Sequence, residues 1–339
     1  MQLEKVPSTT AFINGKEYLY FSGTSYLGVT SLPEFQELVF KAIKKWGTSY
    51  GSSRSANIKL AVYEKAETFL AQFLNTETAV TVSSGTLAGH FAIKKLKTLV
   101  DAFYYMPKTH PAILPEKALP VFDESELHPS LKLLKNKKIS IVMDAIAAFE
   151  TKPFSLEFLD EIDASNTIYL VIDESHSFGV LGDHGNGISS SILKKENIKV
   201  IVVASLGKAF GINGGVIAGD LDFINLIKKD NLFIGSAGMS PAFLEVFVNA
   251  QEIYKSQLLK LKNNIDYVFY QLKDHLSITI DKSYPVFFHS DKKIEQILLD
   301  KNILITSFYY ATSAKKFNRI VINSNHTKGQ LDILIESLR

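Results

Sequence analysis

Residues 167–187, TIYLVIDESHSFGVLGDHGNG, decide the fold. The first six residues are nearly all apolar, which is typical of a strand buried on both faces of a parallel sheet. Asp173 and His176 follow the strand, and the glycines after them indicate a sharp turn. In an open α/β sheet, ligands bind beyond the carboxyl ends of the strands. The stretch therefore predicts a strand of an α/β sheet with polar side chains at its ligand-binding edge.

A regular alternation of strand-like and helix-like segments surrounds this stretch. Runs with strand character lie at 78–82, 140–143, 199–204 and 215–218. Segments with helical periodicity lie at 61–74, 86–99, 155–162 and, as one long helix, 241–276. Such alternation predicts an α/β fold with a mostly parallel sheet. We expect a large domain at residues 46–240, and a smaller α+β domain formed by residues 1–45 and 241–339.

The composition excludes several kinds of partner and site. Lys and Arg total 37 against 35 Asp and Glu, so the net charge of +2 gives no field to attract nucleic acid or an anionic membrane. There are no cysteines, which excludes disulfides, thiolate metal sites and cysteine nucleophiles. No segment reaches the ~20 apolar residues needed to span a bilayer. We therefore expect a cytoplasmic protein that acts on small molecules, without a metal, a membrane or nucleic acid.

Lys208 is the first candidate for chemistry. It lies in the segment 205–211, SLGKAFG, directly after the strand-like run 199–204. A lysine held in a partly buried pocket loses its proton more easily, and its amine can then condense with an aldehyde to form a Schiff base. The glycines around Lys208 indicate that the backbone closely approaches another group. The alternative is an ordinary solvated loop lysine.

Polar residues follow other strands as well. Ser84, Gly85 and Thr86 lie between a strand and a helix, where the N–H groups of a helix N-terminus bind phosphate. They are equally typical of an ordinary helix cap. Asp173 and His176 have an ordinary interpretation too, as a turn cap and a surface histidine. A helicase-type magnesium site, which also uses Asp-Glu-x-His, needs an upstream phosphate loop that this sequence lacks.

Taken in order, these motifs resemble the α-oxoamine synthase family of pyridoxal 5′-phosphate (PLP) enzymes, which has the fold-type I architecture. The resemblance runs from about Ile13 to the C-terminus. Its main motifs lie at 21–28, 51–54, 84–86, 173–176, 205–215 and 319–327. Because the motifs occur in the family's order over most of the chain, the resemblance implies both the fold and the cofactor.

The resemblance also implies a role for each residue of the cofactor site. Lys208 would form the Schiff base with PLP and later move protons at the substrate α-carbon. Asp173 would pair with the pyridine nitrogen, and His176 would hydrogen-bond the ring hydroxyl. The phosphate would be held by Ser205 and by the segment 84–86.

Further residues are assigned by the same resemblance. His110 corresponds to a histidine that stacks on the PLP ring, although the prolines around it are also typical of an ordinary loop. Arg319 corresponds to an arginine for the substrate carboxylate, and the alternative is a surface arginine beside a strand. Tyr26, in the N-terminal motif, would belong to the same substrate site. The family implies a homodimer with shared active sites.

Several positions depart from the family pattern. Tyr63 replaces a histidine, Gly89 and Thr24 each replace an asparagine, Ala237 replaces a hydroxyl residue, and the segment 143–156 lacks the family's motif. The leading hypothesis is an acyltransferase that condenses an amino acid with an acyl-CoA, with loss of CO2 and CoA. The departures leave open an aminotransferase, or a PLP-binding protein with lost or altered activity.

Overall fold

The computed structural model describes residues 1–147, 149–192, 195–309 and 316–339. The chain forms two compact units. The large unit comprises residues 37–208 and 212–251, and the small unit comprises residues 1–36, 209–211 and 252–339. The domains expected from the sequence, which divide at 45/46 and at 240/241, stay a prediction.

The secondary structure is numbered along the chain. The strands are β1 (Thr10–Ile13), β2 (Lys16–Phe21), β3 (Thr78–Val82), β4 (Ala102–Tyr105), β5 (Leu119–Pro120), β6 (Phe122–Asp123), β7 (Glu126–Leu127), β8 (Lys138–Asp144), β9 (Thr167–Asp173), β10 (Ile198–Ser205), β11 (Gly215–Gly219), β12 (Ile278–Thr279), β13 (Val286–His289), β14 (Ile303–Tyr309) and β15 (Lys316–Val321). The helices are α1 (Pro33–Trp46), α2 (Ala61–Phe73), α3 (Gly85–Leu96), α4 (Pro129–Leu133), α5 (Leu221–Lys228), α6 (Asn231–Gly235), α7 (Pro241–Asn249), α8 (Gln251–Leu272), α9 (Ile294–Asp300) and α10 (Lys328–Leu338). In the described ranges, none of the helices has the length and apolar character needed to cross a membrane.

A seven-stranded sheet organises the large unit, with the strand order β3-β11-β10-β9-β8-β4-β5. The strands from β10 to β5 run parallel to their neighbours, whereas β11 is antiparallel to both β10 and β3. The carboxyl ends of β8, β9 and β10 therefore lie at the same edge. The α/β fold with a mostly parallel sheet is confirmed.

Strand β9 is buried on both faces, as its apolar sequence predicts. Val171 belongs to a core cluster on one face that includes Phe91 of α3. Leu170 and Ile172 belong to a second cluster, which includes Phe158. Each fully buried aliphatic side chain stabilises the fold by about 1.5 to 3 kcal/mol, so this alternation fixes the register of β9.

The small unit is built on a six-stranded sheet with the order β1-β2-β14-β15-β13-β12. Strands β2 and β14 pair in parallel, and the other neighbours pair antiparallel. Helix α10 follows β15 and begins with a capping box, in which the side chains of Thr327 and Gln330 each accept a backbone N–H of the other residue.

The expected single helix over 241–276 is wrong, because the chain forms α7 and then α8. The side chain of Gln251 explains the break, since its Nε2 donates to the carbonyl oxygen of Phe247 (2.6 Å). In a continuous helix that carbonyl would accept the backbone N–H of residue 251. The side chain therefore replaces the backbone donor at this point.

The expected helix over 155–162 is also wrong, because only a short 3₁₀ helix forms, over Glu157–Glu161. The hydroxyl of Ser155 accepts the N–H of Glu157 (3.2 Å), which is a local turn contact. A hydroxyl bonded in this way favours a tight turn over a regular helical start.

His326 is a buried neutral histidine in the core of the small unit. Its ring stacks on Phe21 with the centroids 4.1 Å apart, and only 4% of the residue is exposed. Nδ1 accepts the N–H of Asn323 (2.9 Å), and Nε2 lies 3.1 Å from the carbonyl oxygen of Tyr20. Because burial disfavours the imidazolium, the pKa of His326 is lowered from 6.5 to about 4.

We predict that this histidine makes the fold sensitive to acid. Since the folded state binds the proton less readily than the unfolded state, the free energy of unfolding falls as the pH drops from about 6.5 to about 4. The loss from this residue amounts to about 3 kcal/mol. His326→Gln lacks the titrating ring, so the variant should not show this loss. In urea unfolding, the difference in the free energy of unfolding between wild type and variant should therefore shrink as the pH is lowered over this range. The exposed His90→Gln serves as the control, and a gap that does not change with pH would contradict the prediction.

Candidate active site

Two buried aspartates end neighbouring strands at the carboxyl edge of the seven-stranded sheet. Asp144 is the last residue of β8 and Asp173 the last of β9, and the strand register pairs them directly. They are only 6% and 7% exposed. Oδ1 of Asp173 accepts the N–H of Ser175 (2.8 Å), and Oδ2 of Asp144 accepts the N–H of His110 (2.7 Å). Two buried carboxylates side by side favour binding of a positively charged group.

The charges of four groups interact at this point. Burial raises the pKa of Asp144 well above its usual range and the charge of Asp173 adds to the effect, while the N–H of His110 and the charge of Lys208 oppose it. The pKa of His110 is lowered, chiefly by desolvation and further by Lys208, while Asp173 opposes the shift. The structure therefore brings the predicted residues Asp173, His110 and Lys208 into one electrostatic cluster.

Asp144 is a member of this cluster that the sequence motifs did not single out. The signal that would have identified it is the repeated pattern of an apolar strand ending in aspartate, in β8 as in β9. Parallel strands that are neighbours in a sheet place such terminal residues side by side.

Ser205 ends β10 and connects this strand to the segment that follows β9. Its N–H donates to Oγ of Ser175 (2.8 Å), and its own Oγ accepts the N–H of Gly207 (3.2 Å). The turn leads directly to Lys208, which is half-buried. His176, also half-buried, comes directly after Ser175. The backbone thus holds the predicted lysine and histidine beyond the ends of neighbouring parallel strands.

The N-terminus of α3 lies against the ends of β10 and β11. Ser84 caps the helix, since its Oγ accepts a backbone N–H of the first turn (3.2 Å). A Cβ on Gly85 would lie 2.6 Å from Cβ of Ser205, and a Cβ on Gly215 would lie 2.3 Å from the carbonyl oxygen of Ser84. Only glycine permits such close approach. The first N–H groups of the helix, including that of Thr86, have no acceptor within the helix and attract an anion.

The loop that begins at His110 packs on α3 through a glycine. The exposed ring of His110 accepts the N–H of Ala112 at Nδ1 (3.1 Å). A Cβ on Gly89 would lie 2.7 Å from the carbonyl oxygen of Ala112 and 2.8 Å from Cγ2 of Ile113. The asparagine expected from the family has no room at this position. The loop therefore occupies the space that the family's asparagine would need, which explains the glycine at residue 89.

Glu174 anchors the glycine-rich turn that follows Asp173. Its buried carboxylate accepts the hydroxyl hydrogen of Ser177 and the N–H groups of Ser189 (2.6 Å) and Ile188 (3.2 Å). Burial raises the pKa of Glu174, and these hydrogen bonds oppose the shift. Its role is structural, because it holds the turn beside the cluster. The sequence motifs did not assign a role to Glu174.

The two residues predicted to bind substrate contact each other within the small unit. Nη2 of Arg319 donates to the phenol oxygen of Tyr26 (2.9 Å), and Nη1 donates to the carbonyl oxygen of Gly23 (3.3 Å). Arg319 is half-buried on β15, whereas Tyr26 is fully buried. Their contact supports a shared role.

Tyr63 has a structural role in the large unit. Its hydroxyl donates to the carbonyl oxygen of Met239 (2.7 Å), and the guanidinium of Arg54 lies 4.2 Å from the centre of its ring. Arg54 also pairs with Glu67 at 2.7 Å.

In the divergent segment 143–156, residue 148 lies outside the described residues.

The chain is similar to known proteins and structures. Residues 150–338 match the family described as aminotransferase class I and II. The 8-amino-7-oxononanoate synthase of Petrotoga mobilis is 27% identical over 98% of this chain and 90% of that protein. The serine palmitoyltransferase of Sphingobacterium spiritivorum is 27% identical over 99% of this chain and 89% of that protein. The structure of Sphingomonas wittichii serine palmitoyltransferase has a TM-score of 0.84 at 19% identity, over 99% of this chain and 90% of that chain.

The fold is that of the fold-type I PLP-dependent transferases. The chain belongs to the aminotransferase class I and II family, since the match covers more than half of its length. It is a PLP-dependent transferase that resembles the α-oxoamine synthases. The residues present fit the cofactor: the buried carboxylate pair suits a protonated ring nitrogen, and the glycine-lined N-terminus of α3 suits a phosphate.

We predict that Asp144→Asn stabilises the cofactor-free protein. Because the folded state raises the pKa of Asp144, folding becomes less favourable as the pH rises through that pKa. An asparagine keeps an oxygen for the N–H of His110 and removes the repulsion from Asp173. At pH 8 the free energy of unfolding should rise by about 1 to 3 kcal/mol, the usual cost of an unsuited buried polar group.

The measurement is urea unfolding of the cofactor-free proteins at pH 8 and near pH 4. The gain should vanish near pH 4, where wild-type Asp144 is protonated as well. Asp183→Asn, at an exposed position, is the matched control and should change little at either pH. Equal stability of wild type and Asp144→Asn at pH 8 would show that the pair ionises without cost.

Proposed function

We propose that this protein is an α-oxoamine synthase, a PLP-dependent acyltransferase that condenses an amino acid with an acyl-CoA. A carbon–carbon bond forms between the substrate α-carbon and the acyl carbonyl carbon, the thioester bond breaks, and CO2 and CoA leave. The observation that carries the proposal is the cluster of Asp144, Asp173, His110 and Lys208 at the carboxyl edge of the parallel sheet. The names of the relatives, an 8-amino-7-oxononanoate synthase and a serine palmitoyltransferase, support acyl transfer over other PLP reactions.

Residues of the large unit would hold the cofactor. Asp173 would pair with the ring nitrogen and keep it protonated, and His176 would bind the ring hydroxyl. The N–H groups at the segment 84–86 and the hydroxyl of Ser205 would bind the phosphate, which is supported by their close approach across Gly85. His110 would lie on the ring, and Lys208 would attach the cofactor through its amine.

The chain's own groups would then control the proton at the substrate. When bound, PLP supplies an electron sink for the negative charge that develops at the α-carbon. Lys208 would remove the α-proton and return a proton later, because the neighbouring acids hold its amine at the site. Buried Asp144 would hold the loop of His110 at the site, because its carboxyl group accepts the N–H of that residue.

The small unit would bind the amino acid through its carboxylate. Arg319 offers paired N–H donors of the geometry that a carboxylate accepts, and Tyr26 contacts its guanidinium.

We infer that the active form is a homodimer with shared active sites, an inference that depends on the resemblance to the α-oxoamine synthases. Size-exclusion chromatography with light scattering tests it, and a monomeric active enzyme would contradict it.

The alternative function is amino transfer, which the name of the matching family favours. The two reactions differ in what leaves the enzyme. Acyl transfer releases a free thiol only when amino acid and acyl-CoA are both present. Amino transfer converts the amino acid into a keto acid and requires no acyl-CoA.

The decisive experiment incubates the PLP-loaded enzyme with glycine, alanine or serine and with acyl-CoA thioesters of increasing chain length. We expect thiol release that depends on both substrates, together with CO2. Keto-acid formation without thiol release would overturn acyl transfer in favour of amino transfer.

We predict that Lys208→Ala lowers turnover by about 10²-fold or more, as loss of a general acid–base group does. The variant should also lose the covalent PLP label that borohydride gives on the wild type. Lys199→Ala, on strand β10 that leads to Lys208, removes a surface ion pair with Asp220 and should retain both properties. A Lys208→Ala variant that is still labelled by borohydride would place the cofactor on another lysine.

A further inference from the structure

Tyr284 is a buried phenol in the small unit that no family motif accounts for. It lies just before β13 and is 2% exposed. Its hydroxyl lies 3.4 Å from the hydroxyl of Tyr26, and the two rings are 6.2 Å apart at 56°. Since a buried hydroxyl without a hydrogen bond destabilises the fold, the partners of this phenol matter.

The hydroxyl of Tyr284 contacts that of Tyr26, and the phenol oxygen of Tyr26 accepts a hydrogen bond from the guanidinium of Arg319 (2.9 Å). The charge of Arg319 also acts on Tyr284 itself. The guanidinium donates in addition to the carbonyl oxygen of Gly23. Within the described residues, the groups around the arginine are therefore two neutral hydroxyls and a backbone carbonyl. They fix the orientation of the guanidinium without neutralising its charge.

The contrast with another arginine is informative, because the chain contains only three. Arg54 is half-buried beside Glu67, whose carboxylate balances its charge at 2.7 Å. Across the described part of the chain, no carboxylate forms an ion pair with Arg319. A half-buried cation to which the described residues offer only neutral acceptors favours binding of an anion from outside.

The phenol stays protonated in this setting. Burial raises the pKa of Tyr284 well above its usual range and Tyr26 adds to the effect, while Arg319 opposes it. Tyr284 therefore does not supply the missing negative charge. The charged and titratable groups that the structure brings against it are Arg319 and Tyr26.

We propose that Tyr284 is a positioning residue for Arg319, and that the two phenols hold the guanidinium in the orientation that binds the α-carboxylate of the amino acid. This inference rests on the proposed function, because it takes Arg319 as the carboxylate-binding residue. It adds a residue that acts through the arginine and does not touch the substrate. The position of β15 in the sheet fixes the backbone of Arg319, and the phenols fix its side chain.

The test compares the wild type with Tyr284→Phe, which keeps the ring and removes the hydroxyl. Glycine, L-alanine and L-serine are titrated into the PLP-loaded proteins without acyl-CoA, and binding is followed by the absorbance of the cofactor. We expect about 5-fold weaker binding in the variant, because the loss of one ordinary hydrogen bond leaves Tyr26, and through it Arg319, less firmly held. Turnover at saturating amino acid, measured with acyl-CoA present, should change less than about 2-fold. The reason is that a positioning residue affects binding of the amino acid and not the chemical step.

A second ligand set separates positioning from general damage to the fold. The carboxamides of the same amino acids lack the anion, so Tyr284→Phe should bind them as the wild type does. Tyr254→Phe is the matched control, because its buried hydroxyl donates to the carbonyl oxygen of Phe210, away from the arginine. Equal loss for amino acids and carboxamides, or no loss for either, would overturn the proposal.

Two further outcomes keep the test decisive. If Tyr284→Phe does not fold, Tyr26→Phe removes the other hydroxyl and should show the same preference for loss with the carboxylate ligands. If the wild type binds amino acids in this way but never transfers an acyl group, acyl transfer fails while the role of Tyr284 stands. A wild type whose spectrum responds to no amino acid overturns both.

Discussion

The register of β8, β9 and β10 is the constraint on which the site depends. Parallel hydrogen bonding aligns the last residues of these strands, so Asp144 and Asp173 lie side by side and Ser205 lies next to the turn after β9. The cost is repulsion between two buried acids. Cores on both faces of the sheet hold the register, and a shift by one residue would turn every one of these side chains to the opposite face.

Much of this arrangement could be predicted from the sequence. The apolar run of β9 and the polar residues after it gave the strand, its burial and the edge where ligands bind, because buried parallel strands have a distinctive pattern. The break between α7 and α8 could not be predicted from periodicity, since it depends on the side chain of Gln251 taking a carbonyl that the helix would use. The strand ends singled out Lys208 and Asp173, and the family resemblance gave them roles. The position of Asp144 beside Asp173 could not be predicted, because it required the order of the strands.

Arginine is rare in this chain, and two of its three arginines, Arg54 and Arg319, are used in opposite ways. Arg54 pairs with Glu67 and joins the segment before α2 to β3, because it also donates to the carbonyl oxygen of Thr81 (2.9 Å). Arg319 receives no such counter-charge from the described residues. The difference separates an arginine that completes the fold from one whose charge remains to be balanced by a ligand, and neither sequence spacing nor composition distinguishes them.

The missing side chain at Gly89 has a consequence for altering the enzyme. The carbonyl oxygen of Ala112 occupies the space that a Cβ would need, so the width of α3 at this point sets how near the loop of His110 can come to the helix. The size of residue 89 therefore controls the distance between the loop and the helix. A larger side chain there would push against the loop, so the distance between His110 and α3 can be altered by a change that touches no charged group.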